Sequence, residues 1–194
     1  MRPPLTSQPG APRPRLRWSE LSNLAGALTI ARLPVALAIP FAMPHPRLGL
    51  GLYIAGVLTD VIDGYIARKT GTASYTGAMI DGVMDKLLHI SVALSLVHYD
   101  IIPTWWLWPW FARDYLLGVM VLALIRLYLK GKLRPGGANQ WGKWTTVTLA
   151  IAMVLSMLGR VDLAFPFTIL TGSLGVIACV GYLKYMLEDY RANR

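Results

Sequence analysis

The sequence predicts an all-α polytopic membrane protein: six transmembrane helices around a polar cavity that opens to the cytoplasm. Three observations carry this expectation. Of the 194 residues, 55% are hydrophobic and only 15% charged, against about 25% charged in a soluble globular protein. Apolar stretches of about 20 residues recur along most of the chain, each long enough to cross a bilayer core as a helix. These runs are continuous rather than alternating, which excludes a membrane barrel, the other architecture that satisfies its backbone in lipid.

In order along the chain, residues 1–20 are rich in proline and arginine and are expected to form a disordered, basic juxtamembrane arm. The arm lacks the apolar middle of a cleaved signal peptide. Leu16 to Leu21, with Trp18, suits the membrane surface. A six-helix membrane domain is expected over residues 21–190, with spans at about 24–43, 48–68, 77–98, 104–129, 144–160 and 163–187. Pro44 and Pro46 break the first connection, Gly71 the second, Pro103 the third and Pro135-Gly136-Gly137 the fourth. The fifth is tight, around Gly159 and Asp162.

Six crossings put most of the 19 basic residues on one side, among them Arg13, Arg15, Arg17, Arg68, Lys69, Lys130, Lys132, Arg134, Lys143 and Lys184. The opposite side keeps Arg47 and Arg160, while Arg32, Lys86 and Arg113 fall within spans. The positive-inside rule then predicts both termini in the cytoplasm. The net charge of +9 lies in loops beside apolar spans, so anionic headgroups and phosphorylated substrates are the expected partners, and nucleic acid is not. The one cysteine, Cys179, excludes an internal disulfide.

Four of the ten acidic residues, Asp60, Asp63, Asp81 and Asp85, gather at the ends of the second and third expected spans. A charge within a span costs at least about 2.5–3.5 kcal/mol on insertion scales, so such a group marks a function. At roughly 100° per residue, Asp60, Asp63, Gly64 and Ala67 share one helix face, and Gly77, Asp81 and Asp85 share another. The short connection predicts antiparallel neighbours with two rows of carboxylates facing each other. Crowded hard oxygens without histidine or cysteine suit Mg²⁺, Mn²⁺ or Ca²⁺ rather than zinc. The competing reading is salt bridging to Arg68 and Lys86. The small residues leave room for a ligand or for close helix packing. His89, one turn beyond Asp85, reads as a hydrogen-bonded packing residue.

From Asp60 the sequence runs DVIDGYIARKTGTASYTGAMIDGVMD. It resembles the CDP-alcohol phosphotransferase family, matching the signature D-x2-D-G-x2-A-R-x8-G-x3-D-x3-D at every fixed position. Chance agreement is on the order of once in 10¹⁰ starting points, given residue frequencies of about 5–10%. The resemblance implies that Asp60, Asp63 and Asp81 bind metal, and that Asp85 is the general base lying also near a metal. The metal would be two Mg²⁺ or Mn²⁺ ions. Gly64, Ala67 and Gly77 would admit the CDP moiety and Arg68 would contact the diphosphate. The implied substrate is CDP-diacylglycerol and the implied assembly a homodimer in the membrane, with a bacterial inner membrane as the expected location.

Subfamily features are fewer. The signature ends in Asp85-Lys86, and the first span opens with Asn23, Thr29 and Arg32 in an N-L-L-T-x-x-R-like pattern. Both resemble phosphatidylglycerophosphate synthases and eukaryote-type cardiolipin synthases, and the pattern adds Asn23 and Thr29 to the CDP-lipid contacts it implies. Gly82-Val83-Met84 departs from the usual D-P-x-A-D-K of those groups. Glycerol 3-phosphate is the expected acceptor. Phosphatidylglycerol, an inositol phosphate or serine are the alternatives, and a cation transporter is the non-enzymatic one. A dianionic acceptor needs cations, for which Arg113, Lys143, Lys132 and Arg134 are the candidates. Asp85→Asn is expected to abolish turnover yet leave CDP-lipid binding largely intact, because it removes a base. Equilibrium binding of CDP-diacylglycerol beside kcat checks this, and a near wild-type kcat would refute the assignment.

Overall fold

The computed structural model describes residues 24–70, 75–129 and 140–192. Among them are six α-helices and no strand. They are α1 (Leu24–Ala42), α2 (Pro46–Thr70), α3 (Tyr75–His98), α4 (Leu107–Leu129), α5 (Gln140–Met157) and α6 (Val161–Ala192). A 3-10 turn at Thr104–Trp106 leads into α4. The chain divides into two compact units, Met1–Ile101 and Ile102–Arg194.

The all-α expectation holds and the six spans do not. Among the described residues only two helices are long and apolar enough to cross a membrane, Thr104–Leu124 and Val161–Lys184. The physical reason is composition. Asp60 with Arg68 and Lys69 in α2, and Asp81, Asp85 and Lys86 in α3, interrupt the apolar runs. Among the described residues, α1 offers only the shorter apolar stretch Ala31–Ala42. With two candidate crossings among the described residues in place of six, the alternation that assigned each loop to a side, and with it the cytoplasm-facing cavity, loses its basis. The basic arm at 1–20 lies outside the described residues.

In the first unit α1 packs against both α2 and α3, and among the described residues these touch each other less than either touches α1. Ala36, Ile39 and Ala42 of α1, Tyr53 of α2, and Leu88, Val92, Ala93 and Leu96 of α3 form its buried core. Gly56 of α2 is where α3 comes close: a Cβ there would lie 2.8 Å from Leu88 Cδ2. Pro40 lies inside α1 and has no N–H to give the Ala36 carbonyl four residues back. The Ser91 hydroxyl of α3 donates to that carbonyl instead. The Tyr99 hydroxyl donates to Pro40 O at 3.1 Å.

Helix ends follow local rules. After α3, Asp100 takes φ 54° and Ile101 N–H donates back to Leu96 O at 2.9 Å, a Schellman close. Gly159, at φ 71°, closes α5 the same way through Arg160 N–H to Leu155 O, so the tight fifth connection is as the sequence predicts.

In the second unit α6 packs on both α4 and α5. Ala164, Thr168, Thr171, Gly175 and Ala178 are buried along α6 at three- and four-residue spacing, the small-residue stripe that lets apolar helices approach closely. The polar members are satisfied: Trp110 Nε1–H donates to Thr168 Oγ1 at 3.0 Å, and the Thr171 hydroxyl donates to Thr148 Oγ1 at 2.9 Å. At Gly172 the backbone of α4 itself is close: a Cβ there would lie 2.8 Å from Pro109 Cβ and 3.2 Å from Pro109 Cα. Gly172→Ala is therefore expected to destabilise the protein by about 1–3 kcal/mol through overpacking. Gly118→Ala, with nothing within 4 Å, should be neutral or stabilising by up to about 1 kcal/mol from helix propensity. Thermal melting of the two variants in detergent checks the contrast.

Candidate active site

Two of the four carboxylates of the signature meet on a residue outside it. Arg32 of α1 is 1% exposed, and its two terminal nitrogens reach different helices. Nη1 donates to Asp60 Oδ1 of α2 at 2.7 Å, and Nη2 donates to Asp81 Oδ1 of α3 at 2.7 Å. A buried charge is tolerated only when paired and hydrogen-bonded, and both bonds are of the short, charge-assisted kind. The two carboxylates remain 37% and 34% exposed, so the cation is covered while its partners keep an open side.

Asp85 lies one helical turn after Asp81 and is also about one third exposed. His89, one turn further, is buried and places Nδ1 2.7 Å from the Asp85 main-chain O and 3.3 Å from Asp85 Oδ1. A carbonyl only accepts, so Nδ1 carries the hydrogen. The His89 ring meets Tyr53 edge-on, with centroids 5.9 Å apart. His89 is thus a hydrogen-bonded packing residue, as its position in the sequence suggests, and it braces the α3 turn that bears Asp85.

The other expected site residues divide into three groups. Asp63, Gly64, Ala67 and Arg68 lie in α2, Gly77 in α3 and Thr29 in α1, but their side chains are outside the described set. Asn23, Lys132 and Arg134 lie outside the described residues altogether. Arg113 and Lys143 belong to the second unit. Arg113 Nη1 donates to Gly142 O at 2.7 Å and lies 3.4 Å from Thr146 Oγ1, tying α4 to α5, and Nη2 is 3.9 Å from Asp114. Lys143 is exposed in the first turn of α5. Among the described residues no group of three or more His, Cys, Asp or Glu is arranged around a common metal position, and Asp63 is not in that set.

Sequence reasoning missed the role of Arg32. It placed the residue in a span and in the opening pattern, yet looked to Arg68 and Lys86 for partners to the aspartates. The signal was present: an arginine in the apolar run LTIARLPVAL demands a partner. The four aspartates were the anions at hand.

Comparisons with known proteins bear on the family. The CDP-alcohol phosphatidyltransferase family matches residues 22–182. A CDP-diacylglycerol–glycerol-3-phosphate 3-phosphatidyltransferase of Bacillus subtilis (strain 168) is 30% identical over 165 residues, covering 75% of this chain and 83% of the relative. One of the same description from Pseudomonas fluorescens is 26% identical over 176 residues, 84% and 88% of the two chains. A CMP-forming cardiolipin synthase of Streptomyces coelicolor is 29% identical over 164 residues, 77% and 74%. The chain belongs to the CDP-alcohol phosphatidyltransferase family. It is a membrane-associated enzyme of phospholipid biosynthesis that transfers a phosphatidyl group from CDP-diacylglycerol to an alcohol.

Because Asp60 and Asp81 share one guanidinium, their contributions to stability are coupled. Asp60→Asn and Asp81→Asn are each expected to destabilise, and the double variant to depart from additivity by about 0.5–3 kcal/mol. Denaturation of the four proteins of the cycle measures this.

Proposed function

We propose that the acceptor is glycerol 3-phosphate and the products are phosphatidylglycerophosphate and CMP. The observation that carries this reading is the similarity, at 26–36% identity, to several proteins described as CDP-diacylglycerol–glycerol-3-phosphate 3-phosphatidyltransferases. The Asp85-Lys86 ending of the signature supports it. Asp85 takes the proton of the acceptor hydroxyl, whose oxygen attacks the lipid-bearing β-phosphorus. The β-phosphorus–oxygen bond to the α-phosphate breaks, and CMP leaves. General-base help of this kind is worth about 10²–10⁴-fold. The step needs no covalent enzyme intermediate.

The donor set fits a hard divalent cation: partly exposed carboxylates on two helices, without sulfur ligands. Asp60, Asp63, Asp81 and Asp85 would hold Mg²⁺ or Mn²⁺, which would neutralise the diphosphate and stabilise charge on the leaving CMP. Asp85, supported by His89 on the next turn, is presented by α3 for proton transfer. For the acceptor phosphate, Lys143 is the better test position, because replacing Arg113 also breaks its bond to Gly142 O.

A second reading has its own support. The Streptomyces coelicolor relative makes phosphatidylglycerol an alternative acceptor. Two-substrate kinetics on purified protein separate the two. Lys143→Gln is expected to raise the KM for glycerol 3-phosphate about 10- to 150-fold, the value of a charge-assisted hydrogen bond of roughly 1.5–3 kcal/mol. The KM for CDP-diacylglycerol should change little. Product from phosphatidylglycerol and none from glycerol 3-phosphate would overturn the leading reading.

A further inference from the structure

Arg32 stands 28 residues before Asp60 and 49 before Asp81, on a different helix from either. Among the described residues α2 and α3 touch each other little, and α1 lies against both. Packing between α2 and α3, as at Gly56 and Leu88, sets the helices side by side but does not itself fix the spacing of two carboxylate oxygens. A guanidinium does. It is planar, its terminal nitrogens keep a fixed separation, and its donors leave in set directions. With Nη1 on Asp60 Oδ1 and Nη2 on Asp81 Oδ1, both at 2.7 Å, the separation of those oxygens is set by one rigid group. The group is itself held in place by burial among the core of the unit. At 1% exposure Arg32 does not reach a ligand arriving from outside, whereas the carboxylates it holds do.

We propose that Arg32 is the positioning residue of the reaction: it fixes Asp60 and Asp81 at their working separation before cation and diphosphate arrive. The role rests on the carboxylate site of the proposed function. Arg32 acts through the two carboxylates and never touches the reacting atoms. What it contributes is preorganisation, which lowers the cost of gathering like charges when the site is loaded. Arg32→Lys separates geometry from charge. It keeps the positive charge but substitutes a point donor on a flexible stem, which cannot reproduce the fork.

The experiment uses the full chain in detergent. Mn²⁺ binding is followed by electron paramagnetic resonance without CDP-lipid, and kcat and KM are measured with CDP-diacylglycerol at saturating Mn²⁺. Half-saturation of Arg32→Lys by Mn²⁺ is expected to rise about 10-fold or more. Its kcat should fall by about 10- to 100-fold, since a misplacement of about 1 Å costs on the order of 10²-fold. Arg32→Gln leaves no buried charge and is read by kcat alone, with a fall of the same size. It carries the test if the lysine variant does not fold. A merely structural arginine would lower the melting temperature and leave Mn²⁺ half-saturation and kcat of the folded protein unchanged. That result overturns the proposal. Wild-type protein that binds no Mn²⁺ would instead overturn the carboxylate-site reading, and this role with it.

Discussion

The first unit is organised by the need to pair one buried charge. Desolvating a guanidinium costs several kcal/mol unless it is paired, and Arg32 sets its two terminal nitrogens on carboxylates of two helices at once. This demands that α1 face both α2 and α3, as it does. The remainder of the unit accommodates that placement. Ser91 satisfies the carbonyl that Pro40 leaves without a helical donor, and Gly56 lets Leu88 come close. The result is a set of partly open carboxylates above a covered cation, an arrangement suited to receiving a further positive charge from outside.

The second unit reaches close packing without a buried ion pair of that kind among its described residues. Its helices approach through small side chains, and the hydroxyls that come with them are satisfied within the unit. Arg113 takes a bracing role there, with one nitrogen on the Gly142 carbonyl. Both solutions follow from one rule: in apolar surroundings a polar group must find its partner inside the protein. The first unit solves it with charge and the second with hydroxyls and backbone.

The same carboxylates explain why a hydropathy reading overcounts the crossings. Helices α2 and α3 are long, and their apolar residues are plentiful and often exposed, as at Leu58, Val61, Val83 and Leu94. But the aspartates and basic residues that equip them for chemistry interrupt their apolar runs. Exposed apolar side chains across both units accord with a membrane-associated family. Among the described residues, length and apolar content suffice for a crossing only in Thr104–Leu124 and Val161–Lys184.

The all-helical class and the family were legible in the sequence, because each is a local property. Apolar runs dictate helices, and the signature's spacing is a one-dimensional pattern that survives without the fold. The turn at Gly159 was legible for the same reason, since a left-handed residue after a helix favours glycine. His89 could be placed too, its partner being one turn away on its own helix. What the tertiary structure decided was every relation between helices. That α1 lies against both carboxylate helices depends on side-chain packing across distant segments. That Arg32 rather than Arg68 or Lys86 reaches both Asp60 and Asp81 depends on that same packing. No periodicity records which of several cations lies within 2.7 Å of a carboxylate on another helix. A residue's type shows that a buried charge needs a partner, but only the fold brings the partner to it.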